Sequence, residues 1–140
     1  MSVTDTFGKL KAQADDADRA VRTAAELNQA EIEQKVNDAR READERAAQL
    51  RTKGQEDATE GKSHWQERQA DLDRHVQDVR QRMDATKATV DANVAEDDAD
   101  WAETNAANAV AFAMNAILEA EYATLDAMLA RKNAAELAAR

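Results

Sequence analysis

From Ala85 onward the chain sets alanine at intervals of seven in two interleaved series. Ala85, Ala92, Ala99, Ala106, Ala113, Ala120, Ala127 and Ala134 form one; Ala88, Ala95, Ala102, Ala109, Ala116, Ala123 and Ala130, with Leu137 next, form the other. A heptad with two apolar positions kept this long is the pattern of a coiled-coil seam. Alanine at both positions leaves little side chain to hold two backbones apart, so the helices approach closely, and an antiparallel partner is expected.

The same repeat decides where helix is expected. The segment Glu96–Asp100, EDDAD, resembles a helix start, and Asp100-Trp-Ala-Glu103 resembles a capping box. The alanine phase carries through it at Ala95, Ala99 and Ala102, which favours one helix from about Ser63 to Ala138, roughly 75 residues and about 110 Å. The competing expectation is three helices, with a break near Asp98.

Composition supports helix rather than disorder. The chain has no proline, three glycines and 34% charged residues. Disordered segments are enriched in proline, glycine and serine, whereas alanine is the best helix former. Gly54 and Gly61 bracket 52–62, the expected loop. The first helix is then expected from about Thr4 to Arg51, and Ser63 is placed to cap the second. Helix 1 carries a stripe of mean period about 3.6, from Leu10 through Val21, Ile32 and Val36 to Leu50, the period of a nearly straight helix. Asn28 is its one polar member, either fixing register or facing solvent. Helix 2 opens with Trp65, Leu72, Val76, Val79, Met83, Val90, Val94 and Trp101. Folding the two helices about the loop sets Leu50 against Trp65, Val36 against Val79, Ile32 against Met83 and Val21 against Val94, each pair of numbers summing to 115. These residues are the expected seam of an antiparallel hairpin.

By that register helix 1 ends opposite about Ala111. Beyond it, Phe112, Met114, Ile117, Tyr122, Leu125 and Met128 join Ala106, Ala109, Ala113, Ala116, Ala120, Ala123 and Ala127 in a segment apolar nearly all round. An uncovered apolar segment of this size marks an interface. A second copy, running antiparallel and crossing near Tyr122, covers it with two-fold symmetry. The competing arrangement folds the C-terminal helix over its own hairpin, as in spectrin-like bundles. The expected fold is therefore all-α: one domain over 1–140, a long antiparallel hairpin with its alanine-heptad helix extending beyond it, and 99–138 as the oligomerisation segment of a homodimer or larger helical bundle.

Little chemistry is written into the chain. There is no cysteine, and the net charge of −10 repels nucleic acid and anionic membranes. Arginines between Arg19 and Arg82 alternate with carboxylates at spacings such as Asp18–Arg22 and Asp78–Arg82, the pairs of a solvated helix face. His64 and His75 lack the Glu-x-x-His context of a di-iron bundle, Gly61 and Leu72 standing three residues before them. Asp97, Asp98 and Asp100 read as a solvated acidic patch. Glu119 and Glu121 can pair with Arg131 or Lys132 of a partner. No nucleophile set or phosphate loop is present. No catalytic, cofactor or metal site is expected, and the N-terminus has no signal-peptide core. The expectation is a cytoplasmic, non-enzymatic structural or protein-interaction coiled coil that binds itself, with a further protein partner left open. The alternative is an amphipathic coat on lipid or polymer surfaces, similar in composition to exchangeable apolipoproteins and phasins. The acidity and the lack of a lysine-rich polar face weigh against it.

Overall fold

A computed structural model describes residues 3–56 and 62–140 of the chain. The described residues are all-helical, in four helices: α1 (Val3–Ala24), α2 (Gln29–Glu56), α3 (Lys62–Thr86) and α4 (Ala92–Ala138). The chain divides into two compact units, Met1–Val76 and Gln77–Arg140, and α3 straddles the division.

Both long helices expected from the sequence are interrupted, and neither interruption falls where glycine pointed. The first expected helix, 4–51, stops at Ala24 and restarts at Gln29. Its exit is tightened by bonds of the three-residue type, Glu26 N–H to Thr23 O at 3.2 Å and Leu27 N–H to Ala24 O at 3.0 Å. Asn28 then caps α2. Its Oδ1 accepts from the Glu31 N–H at 2.9 Å, and the Glu31 carboxylate accepts from the Asn28 N–H at 3.4 Å, a reciprocal capping box. Asn28 is thus a helix cap and not a seam residue. Asn28→Ala should cost about 1 kcal/mol and fray the first turn of α2, read as faster amide exchange at Glu31 with α3 unchanged.

The second expected helix, 63–138, breaks at 87–91. The break is not near Asp98, which lies inside α4. The exit repeats the first one: Lys87 N–H to Asp84 O at 3.3 Å, Ala88 to Ala85 at 3.3 Å and Thr89 to Thr86 at 3.1 Å. Asp91, extended at φ −85 and ψ 123, caps α4 by accepting from the N–H groups of Asn93 and Val94. The alanine phase therefore continues in sequence across a segment that is not helical. Val90, expected in the hairpin seam, sits in this link and is 100% exposed.

Gly54 does not end helix, because α2 runs through it to Glu56. The centre of the expected loop, 57–61, lies outside the described residues, as do the side chains of Ser63 and His64. α3 already begins at Lys62.

Within the first unit, side-chain contacts tie α2 to α3. The Gln69 amide donates to the Ala47 carbonyl at 2.9 Å, and the Arg51 guanidinium meets Asp73 at 2.9 Å. Other charged pairs follow the helix surface. Arg22 holds both oxygens of Asp18 at 3.0 Å, Lys11 meets Asp15 at 3.1 Å, and Arg19 pairs with Asp16. Such exposed pairs contribute little to stability.

Candidate association surface

α4 comprises 47 residues, about 70 Å at 1.5 Å per residue. Its start is held against the end of α3 inside the second unit. The Arg82 guanidinium lies 4.0 Å over the Trp101 ring, and the Thr89 hydroxyl donates to Asp98 at 3.1 Å. Met83 and Thr86 of α3 line a shallow groove with Ala95, Ala99 and Ala102 of α4. Small side chains at these three heptad positions let the α3 turns come close, so the first part of the alanine seam is used within the chain. Arg82 over Trp101 and Thr89 on Asp98 set the end of α3 antiparallel to the start of α4. From Ala106 to Ala130 the seam alanines other than Ala120 are exposed.

All thirteen residues expected at the interface lie on α4: Ala106, Ala109, Phe112, Ala113, Met114, Ala116, Ile117, Ala120, Tyr122, Ala123, Leu125, Ala127 and Met128. No residue of α4 is buried. Of the thirteen, Ala120 alone is half-buried. It shares its turn with Thr124, whose hydroxyl donates to the Ala120 carbonyl at 2.8 Å.

The helix distributes these residues over two faces. At 100° per residue the alanines from Ala113 to Ala130 occupy one arc. Met114, Leu118, Tyr122, Leu125 and Leu129 occupy a second arc roughly 170° away. Their exposures run from 57% to 69%. Phe112, Ile117 and Met128 border the alanine face. The acids fall in the margins between the two faces, Glu119 and Asp126 on one side and Glu121 on the other.

The expected hairpin residues are less concentrated. Leu10, Val76, Val79, Met83 and Trp101 are half-buried; Val21, Ile32, Val36, Leu50, Trp65, Leu72 and Val94 are exposed. Among the described residues no hydrophobic side chain is buried. Arg68 lies 5.1 Å from the Trp65 ring centre, so both tryptophans carry an arginine over one face.

No group of three or more metal-ligating side chains is found among the described residues. Asp98 is engaged by Thr89, and Asp71 pairs with Arg74. His75 is exposed. No helix among the described residues is long and apolar enough to cross a membrane. Comparison with protein-family models, curated proteins and solved structures finds no match for the chain.

Proposed function

We propose that this protein is a non-enzymatic, self-associating helical protein of structural or protein-interaction type, and that the alanine face of α4 beyond Ala106 is its seam with a second copy. The observation that carries the reading is that α4, whose segment beyond Ala106 is apolar on two faces, has no buried residue. A helix apolar on more than one face reaches a stable state by being covered. The alanine heptad supplies the geometry, since small side chains at both seam positions admit a second helix at close range. An antiparallel copy makes the contact isologous, so the surface complements itself. The Gln69–Ala47 and Arg51–Asp73 contacts support an α2–α3 hairpin in the first unit, and Gln69–Ala47 falls near the register expected from the stripes.

Sedimentation equilibrium at micromolar concentration tests the proposal. A mass of at least two chains is expected, and a stable monomer would refute it. The lipid-coat alternative is disfavoured by the geometry of 107–130, because a helix lying on a lipid surface needs one broad polar face and this segment places its acids, Glu119, Glu121 and Asp126, only in narrow margins. Flotation of the protein with neutral vesicles would reinstate that alternative.

A further inference from the structure

The second apolar face of α4 is a separate problem from the first. A two-stranded seam buries one side of each helix. With the alanine face of α4 against a second copy, Met114, Leu118, Tyr122, Leu125 and Leu129 point away from that contact. They form a continuous stripe along about 22 Å of helix, from 114 to 129, and none is less than 57% exposed.

We infer that this stripe is a second self-association surface, so that the assembled protein contains at least four chains. The inference rests on the self-association reading above and adds a distinct contact to it. Two observations point to a second copy as the occupant. The first is symmetry. Met114 with Leu129 and Leu118 with Leu125 share one midpoint, between Glu121 and Tyr122. The alanine pairs 113 with 130, 116 with 127 and 120 with 123 share the same midpoint. A two-fold axis there makes the stripe complementary to itself, as an isologous contact requires. Tyr122 sits beside that axis, where the two rings of a pair would meet. The second observation is area. Five large side chains at these exposures present about 600–700 Å² per copy, near the ~800 Å² per partner of a standard-size interface. The acids bordering the stripe stay at its rim, where they remain hydrated.

The two faces are separable by mutation. The variant Leu118→Gln/Leu125→Gln/Leu129→Gln keeps helix propensity, since glutamine is a good helix former, and removes the apolar stripe while leaving every alanine in place. Sedimentation equilibrium should give the unmodified chain a mass of four or more 15.4 kDa chains. The triple variant should give two chains. Circular dichroism checks that its helix content is retained. Should it fall, Leu118→Ala/Leu125→Ala, which favours helix still more, must show the same halving or the inference fails.

The outcomes are distinguishable. If both proteins have a mass of two chains, the stripe is not an interface and the inference falls, while association through the alanine face stands. If the unmodified chain is a monomer, both fall. If it has four or more chains and the triple variant is unchanged, some other surface joins the pairs and the inference falls. A helical but monomeric triple variant would make the stripe the principal seam and overturn the two-face arrangement. Flotation with phosphatidylcholine vesicles that is abolished in the triple variant would assign the stripe to lipid, and would also overturn it.

Discussion

Ala113→Leu should weaken self-association by about 2–6 kcal/mol for an antiparallel pair, because the oversized side chain enters the seam once from each copy at about 1–3 kcal/mol. In Kd this is roughly 1.5 to 4 orders of magnitude. The mechanism is overpacking: close approach depends on methyl-sized side chains at both heptad positions, and an isobutyl group forces the backbones apart. Ala48→Leu is the control. Ala48 lies exposed on α2, and a surface substitution of this kind stays within about 0.5 kcal/mol. Concentration-dependent sedimentation of the two variants checks the pair of expectations. Equal effects at the two positions would remove the alanine face from the interface.

Spin labels at Gln81 and Glu103 should report a distance under about 20 Å, because Arg82 over Trp101 and Thr89 on Asp98 fold the end of α3 against the start of α4. One uninterrupted helix would instead hold these positions about 33 Å apart, at 1.5 Å per residue. The measurement separates the fold described above from the continuous helix that the alanine phase suggests. Asp91→Ala sharpens it. The aspartate accepts from two backbone N–H groups at the head of α4, and its loss costs the cap about 1 kcal/mol. The link 87–91 contains neither glycine nor proline. The variant should therefore shift part of the population toward the long distance. A single long distance in the unmodified chain would show that the helix does not turn back.

Helical class was legible because period and composition agree. Alanine-rich heptads without proline leave strand and disorder poorly supported, and among the described residues every regular element is a helix. The helix breaks were harder to read. Both are made by an Asx side chain after a tightened last turn, at Asn28 and Asp91. The first was in fact written as Asn28-Gln-Ala-Glu31, a capping-box sequence. Asp100-Trp-Ala-Glu103 has the same form and lies mid-helix. A cap of about 1 kcal/mol is a weak local signal, and tertiary contact selects among equivalent spellings. In this chain the selecting contacts are Arg82 with Trp101 and Thr89 with Asp98, which link positions distant in sequence and carry no periodic mark. Gly54 was misleading for the converse reason. A glycine in a helix costs only about 1 kcal/mol, and α2 absorbs it.

The helix that carries the candidate surface was legible in the sequence, but the arrangement of residues around it was not. Every residue expected there lies on α4, yet the heptad count drew attention to the alanines and treated the larger residues as additions to them. Projecting Met114, Leu118, Tyr122, Leu125 and Leu129 around the helix separates them as a face of their own. That signal was available from spacing alone, since steps of four, four, three and four trace one side of a helix.

The lack of any buried hydrophobic side chain among the described residues has a thermodynamic consequence. Heat-capacity change on unfolding arises mainly from newly hydrated apolar surface. A lone chain whose apolar groups already meet water gains little such surface on melting, so its calorimetric transition is shallow and broad. On the self-association proposed above, most of the cooperativity belongs to the associated form, whose melting temperature should rise with protein concentration by mass action, so that dilution acts as a denaturant.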